Sequence, residues 1–209
     1  MEITRVPRIT QADIAACDFS FNISEVVAKP YHHLALDQPI ATTPVVPPRT
    51  KSYGFAEEDF DEPGSAESVI LALTAPSSSS SSDDDDKDAH DGAAAAKGRR
   101  ILGYAFAFKD WNGMATLNTI ALDANLRGKG QGKRLFGAVV EWAREVGVKG
   151  IRVETQSNNV PACRFYKKQG LSFGGYDEFL YRAIEEHKTE TAIYWYYMLD
   201  DGEKKPDVK

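Results

Sequence analysis

The most telling segment of this chain is Leu126-Arg127-Gly128-Lys129-Gly130-Gln131-Gly132-Lys133-Arg134-Leu135. An apolar run ends just before it, three glycines fall at alternate positions, and an amphipathic pattern begins inside it. This is how a strand passes through a tight turn into a helix. The first amides of a helix have no partner within it and point outward. Glycine lets an anion approach them closely, and the helix dipole favours negative charge there. Arg127, Lys129, Lys133 and Arg134 add positive charge. By its chemistry the stretch is a pyrophosphate cradle between a strand and a helix.

Two familiar cradles do not fit. A dinucleotide fold asks for GxGxxG and an acid some 20 residues on, at the end of a second strand. Here the glycines read GxGxG and that acid is missing. A P-loop asks for four residues between its glycines and then Gly-Lys-Ser/Thr, which is absent.

Outward from the cradle the pattern alternates. Met114 to Leu122 reads as a strand, preceded by a turn at Asp110-Trp-Asn-Gly113. Before that turn, Ile101 to Lys109 spaces Tyr104, Phe106 and Phe108 by two, the period of a strand. Ser68 to Ala75 is a further short apolar run and reads as its neighbour. After the cradle, a helix from about Gln131 to Val146 puts Leu135, Val139, Trp142 and Val146 on one face, and Gly147 ends it. Ile151 to Gln156 is a strand. Pro161 to Gln169 is a short helix, capped by Asn158 or Asn159 and stopped by Gly170. Thr191 to Leu199 is a closing strand of bulky residues, and Asp18 to Ala28 an early one. Pro39 to Pro48 reads as an irregular loop. The order predicts an α/β (α+β) fold, a mixed central sheet with flanking helices.

Residues 76–98 stand apart: one proline, six serines, a run of four aspartates and a tail with four alanines. Such a segment cannot bury enough apolar area to offset its ordering entropy. It is predicted to be a disordered loop inserted between two strands of a single domain spanning 1–199, with 200–209 as a flexible tail. It carries six acids against Lys87 and Lys97, so −4 of the formal −6 net charge falls there. The remainder is nearly balanced and shows no basic stripe, which argues against nucleic acid as a partner. No apolar run approaches the roughly 20 residues that span a bilayer, so no membrane partner is expected. The N-terminus lacks the pattern of a secretory signal, and a cytoplasmic location is expected. Cys17 and Cys163 are the only cysteines, and the four histidines show no ligand spacing, so no metal is expected.

A second motif lies downstream. Asn159-Val-Pro-Ala162-Cys-Arg-Phe165-Tyr166-Lys-Lys-Gln-Gly170-Leu171 follows the strand at Ile151 to Gln156. With Arg127-x-x-Gly130-x-Gly132, it resembles the GNAT acetyltransferases in motif, order and separation. Glu154-Thr-Gln-Ser-Asn-Asn159, Gly174-x-x-Asp177, Leu180-Tyr181 and Ala192-Ile-Tyr-Trp-Tyr196 are similar to the streptothricin acetyltransferases over roughly residues 100 to 199.

The resemblance implies a GNAT fold in which a splayed strand pair forms a cleft for acetyl-CoA, the co-substrate. It implies that Arg127, Gly128, Lys129, Gly130, Gln131, Gly132 and Lys133 hold the pyrophosphate. Backbone of Ile120, Ala121 and Leu122 would pair with the pantetheine arm, and Asn159 would hydrogen-bond the arm or hold the strands apart. Tyr166 would be the general acid for the departing thiolate. The acid that many relatives carry before the apolar end of the fourth strand is absent, since the place reads Asn118-Thr119-Ile120-Ala121-Leu122. Glu154 on the next strand is the remaining candidate for the general base. For the acceptor, Glu154, Asp177 and Tyr181 would line the pocket, and Glu57, Glu58 and Asp59 would form an acidic rim drawing in a cation.

The implied activity is N-acetylation of a primary amine on a cationic small molecule, streptothricin first, which would confer resistance by inactivating the antibiotic. A polyamine, an aminoglycoside-like compound or a protein lysine is the alternative acceptor. A non-catalytic acyl-CoA-binding module is the alternative of another class, motivated by the missing fourth-strand acid. A homodimer is compatible with this reading.

Overall fold

Runs of β-branched and aromatic residues broken by Gly, Pro and Asp set the strands of this chain, and two amphipathic stretches set its longer helices. The computed structural model describes residues 1–55, 67–76 and 99–199. In chain order the elements are β1 (Glu2–Val6), α1 (Gln11–Ile14), β2 (Phe21–Val27), β3 (Thr42–Lys51), β4 (Ser68–Pro76), β5 (Arg99–Lys109), β6 (Ala115–Leu122), α2 (Gln131–Glu145), β7 (Gly150–Gln156), α3 (Val160–Lys168), β8 (Ser172–Asp177) and β9 (Ala192–Met198). Short 3-10 segments lie at Tyr31–Ala35 and Ala124–Leu126. The described residues divide into two compact units. One holds Met1–Ser20, Ser52–Phe108 and Asn118–Trp142; the other holds Phe21–Lys51, Lys109–Leu117 and residues from Ala143 onward.

The first unit carries the strand order β1-β4-β5-β6. β1 and β5 both pair antiparallel with β4. Val69 to Thr74 of β4 is buried at every position, as expected of a strand covered on both faces. β5 is the same: Tyr104 and Phe106 are buried, and so are Gly103, Ala105 and Ala107 between them. Ile9, Ile14, Ile70, Ala72, Ile101, Tyr104 and Phe106 form this unit's core. Phe19 and Phe55 meet the Tyr104 ring edge-on, at 5.7 and 5.9 Å. Pro76 pairs opposite Arg99, so the strands flanking residues 77–98 are neighbours; the low-complexity segment itself lies outside the described residues, as does the tail from residue 200.

The second unit carries the order β6-β7-β9-β8 and a separate ribbon, β2-β3. Its sheet is mixed: β6 runs parallel to β7, while β7 and β8 both run antiparallel to β9. The β6/β7 ladder covers Ala115–Leu117 against Ile151–Val153. Ile151, Val153 and Thr155 of β7, with Ile193 and Trp195 of β9, face the core, and their neighbours Arg152, Glu154, Gln156, Tyr194 and Tyr196 face the other way.

Most elements fall where the sequence places them, with shifts of one or two residues. Val146 is half-buried and lies just past the end of α2. The cap of α3 is Asn159, whose side-chain oxygen accepts from the Ala162 amide at 3.1 Å. One expectation is corrected. Most of Pro39 to Pro48 is not an irregular loop, because Thr42–Lys51 forms β3 against β2. Prolines are tolerated there because the ribbon has only two strands, so each keeps an unpaired side, and because the register jumps between Ile23 and Glu25, which face Arg49 and Pro44. The strand β8, Ser172–Asp177, was not assigned from the sequence. Gly174 is needed there because a Cβ would come 2.2 Å from the Tyr196 ring. Among the described residues no helix is long and apolar enough to cross a membrane.

Candidate active site

The cradle belongs to the first unit. β6 ends at Leu122, Ala124–Leu126 makes a 3-10 turn, and α2 begins at Gln131. Asp123 organises the turn. Its carboxylate accepts from the amides of Asp18 at 3.0 Å and Asn125 at 2.9 Å. Burial works to raise the Asp123 carboxyl, but these amides outweigh it and hold it below its ordinary value. Gly128 and Gly130 have φ of +73° and +79°, a conformation that side chains with a Cβ adopt at a cost. No atom of the described residues lies within 4 Å of where a Cβ would stand on either. These glycines therefore serve the path of the chain and leave open space beside it. The opening bond of α2 runs from the Arg134 amide to the Gly130 carbonyl at 3.2 Å. The amides of Gln131, Gly132 and Lys133 precede it in the first turn, as an anion site requires.

The charges around the turn divide their work. Arg127 donates to the carbonyls of Leu122 at 3.1 Å, Ser20 at 2.5 Å and Asp18 at 3.3 Å. Its guanidinium thus ties the end of β6 to the segment before β2. Arg134 donates to Gln131 Oε1 at 2.7 Å and to the Met1 carbonyl at 3.3 Å. Lys129 and Lys133 are exposed at the turn. Ile120, Ala121 and Leu122 are half-buried at the end of β6.

The second unit holds the other predicted residues. Asn159 caps α3, and its backbone amide donates to the Gln156 carbonyl at 2.9 Å. Tyr166 is buried on α3, with its ring 5.4 Å from that of Phe165. Asn158 is 2% exposed, and among the described residues neither atom of its side-chain amide has a hydrogen-bond partner.

Glu154 lies exposed on β7 and accepts a hydrogen bond from the Tyr181 hydroxyl. Gln156 Nε2 donates to the same hydroxyl at 2.8 Å. Across the ladder Glu154 faces Tyr194, which in turn faces Gly175 of β8. Burial first, then the charges of Glu154 and Asp177, push the Tyr194 phenol up from its ordinary value. Asp177 Oδ1 accepts from the amides of Phe179 at 2.7 Å and Leu180 at 3.1 Å, which starts the turn leading to Tyr181. Arg152 is directed to Asp110 at 3.4 Å and Thr116 at 3.3 Å. The structure therefore brings Glu154, Asp177 and Tyr181 together. It adds Gln156 and Tyr194, which the sequence reading missed; the alternation of Tyr194 and Tyr196 with Ile193 and Trp195 was the available signal. Glu57, Glu58 and Asp59 lie outside the described residues. Among the described residues no group of three or more His, Cys, Asp or Glu side chains is arranged to hold a metal ion.

A mixed sheet whose strand leads through a glycine turn into a helix defines an α/β protein whose helix start has the geometry of an anion site. Residues 55–171 match the acetyltransferase (GNAT) family, and the chain belongs to that family. It is 42% identical over 87 residues to a streptothricin acetyltransferase of Escherichia coli, covering 42% of this chain and 50% of that protein. It is 40% identical over 88 residues to streptothricin acetyltransferase A of Bacillus subtilis (strain 168), covering 42% and 50%. The matched stretch thus spans about half the length of these curated relatives. Among solved structures, a Bacillus anthracis str. Ames protein described as a streptothricin acetyltransferase in complex with acetyl coenzyme A aligns over 96% of this chain and 100% of its own. Its TM-score is 0.67 and its identity 27%.

Proposed function

We propose that this chain is an acetyl-CoA-dependent N-acetyltransferase that acetylates a primary amine of a cationic small molecule, with streptothricin as the acceptor. The observation that carries the reading is the Glu154 carboxylate, exposed and held by the Tyr181 hydroxyl, beside Gln156, Asp177 and Tyr194. An ammonium is drawn to such a set of carboxylates and phenols, and a carboxylate oxygen can take the proton the amine must lose. The names of the curated relatives point to the same acceptor.

The residues fit acetyl-CoA. The open glycine turn, the amides of Gln131, Gly132 and Lys133, and the exposed Lys129 and Lys133 would hold the pyrophosphate. Arg127 supports this set by fixing the turn's approach through three carbonyls. Backbone at Ile120 to Leu122, half-buried at the end of β6, would hold the pantetheine arm. When bound, acetyl-CoA supplies an acetyl group activated as a thioester. The ammonium first loses a proton to solvent, and the neutral amine is the nucleophile. Glu154 would accept one proton from that nitrogen as the N–C bond forms, and Tyr166 would give one proton to the sulfur as the C–S bond breaks, so protons and charge balance. Tyr181 and Gln156 fix the carboxylate and phenol in place, which keeps the amine aligned.

A thiol-release assay with acetyl-CoA and streptothricin tests this reading. Turnover is the expected outcome. No turnover despite retained acetyl-CoA binding would replace it with a binding module. Turnover of spermidine or a histone peptide, but not of streptothricin, would move the acceptor to a polyamine or a protein lysine.

A further inference from the structure

Between β8 and β9 the chain runs for fourteen residues, Glu178 to Thr191, outside any strand. Tyr181, which bonds Glu154, sits near the start of this segment. A loop of that length does not hold a phenol in one place unless something fixes it. The backbone supplies a chain of turns at intervals of three. The Ile184 amide donates to the Tyr181 carbonyl at 3.0 Å, the His187 amide to Ile184 at 2.9 Å, and the Glu190 amide to His187 at 2.8 Å. Each bond ties one turn to the next, so Tyr181 stands at one end of the series and Glu190 at the other.

The far end is clamped. Lys51, the last residue of β3, donates to both carboxylate oxygens of Glu190, at 2.7 and 2.6 Å. The two side chains are only 12% and 5% exposed. A buried ion pair is poor at adding stability, because desolvating both charges offsets most of their attraction. What it supplies is a fixed geometry, since both charges must stay together. His187 links the clamp to the phenol. Its Nδ1 lies 3.1 Å from Glu190 Oε1, and its ring meets the Tyr181 ring edge-on at 6.5 Å. At the base of the clamp, the Ser157 amide donates to the Thr191 carbonyl at 2.9 Å and the Tyr31 hydroxyl to Thr191 Oγ1 at 3.1 Å.

We propose that Lys51, Glu190 and His187 are positioning residues that hold Tyr181 on Glu154 and so shape the acceptor side of the site. The role as part of an acceptor site rests on the function proposed above; the mechanical link does not. Lys51 reaches this loop from 139 residues away in sequence.

The test uses the full chain carrying Lys51→Met and Glu190→Leu together, which removes both charges and leaves neither stranded. Amide hydrogen exchange is read at Ile184, His187 and Glu190, alongside KM for streptothricin and for acetyl-CoA. With far-ultraviolet circular dichroism unchanged, exchange at the three amides rises about tenfold or more. KM for streptothricin rises about tenfold while KM for acetyl-CoA stays within about twofold, the split expected when only acceptor alignment is lost. Unchanged exchange at those amides in the folded double variant overturns the proposal. So does an equal rise in both KM values, which would make the pair a general support of the fold. If the double variant does not fold, the reversed pair Lys51→Glu with Glu190→Lys decides. Native exchange and native KM values there support the clamp, and fast loop exchange in a folded protein sinks it. If the wild-type chain does not turn over streptothricin, the acceptor reading fails, and the exchange comparison still decides whether the clamp holds Tyr181.

Discussion

Gly130 stands at φ +79° with open space on its side-chain face, so the backbone conformation is what excludes other residues. Gly130→Ala is expected to lower stability by about 1–2 kcal/mol, the cost of a left-handed L-residue. Acetyl-CoA affinity should fall with it, since the strained turn relaxes away from the helix amides. Thermal melts and titration calorimetry on the same protein check both effects. Tyr166 is different: it is buried and supports α3 as well as its proposed chemistry. Tyr166→Phe keeps the ring, so packing is retained and one hydroxyl is lost. A fall in kcat of about 10²–10⁴-fold with little change in KM for acetyl-CoA is expected for a lost general acid. An unchanged kcat in steady-state assays removes Tyr166 from that role.

At the level of elements, α3 depends on Asn159 for its start. Asn159→Ala should cost about 1 kcal/mol by loss of the cap, whereas Asn159→Asp retains an acceptor and should melt near the wild type. Comparing acetyl-CoA affinity in the two separates capping from ligand contact: a loss shared by Asp and Ala assigns the side-chain NH2 to the ligand. The pairing of β5 with β6 depends on Gly103. A Cβ there would lie 2.8 Å from both the Ala121 carbonyl oxygen and Leu122 Cδ1. One of these is backbone, so the strand must shift. Gly103→Ala is therefore expected to destabilise by about 1–3 kcal/mol in urea titration, as overpacking does. It should also weaken acetyl-CoA binding, because Ile120 to Leu122 move with the strand.

For the whole molecule, pH acts through carboxylates and thiols. Hydrogen bonds from Ser20 lower the Asp18 carboxyl, those from Arg164 and Thr42 lower Glu25, and the Asp18 and Asn125 amides lower Asp123 against the opposing effect of burial. A carboxyl lowered on folding stabilises the native state above its ordinary range, here 3.8 to 4.5, and that contribution is lost as pH falls through the folded value. Burial raises the Cys163 thiol from 9.0 to about 12. Stability from keeping it neutral is complete below 9.0 and is lost as pH rises toward 12. Melting temperature should therefore fall on both sides of a plateau between the two ranges, as scanning calorimetry across pH will show. Cys17 is raised too, by burial and then by the Asp123 charge. Near pH 8 Cys163 of the native protein should accordingly react slowly with a disulfide reagent, and at once in urea; fast native labelling at Cys163, located by peptide mapping, would contradict its buried environment.

Local rules account for much of this chain. Periodicity placed β4 to β7, β9 and the two longer helices, because burying one face leaves its spacing in the chain. Glycine placement and basic residues marked the cradle, because a left-handed turn before a helix has few chemical solutions. Glu154, Asp177 and Tyr181 were legible only through likeness to a family, since nothing in their spacing brings them together. The rest follows from contacts between segments distant in the chain. β3 is a strand because β2 stands beside it, and β8 because Tyr196 needs the space over Gly174. Arg127 turns to carbonyls contributed by Asp18 and Ser20, more than a hundred residues earlier. Lys51 meets Glu190 across 139 residues. Contacts of that kind depend on where the chain returns in space, and no window of neighbouring residues records it.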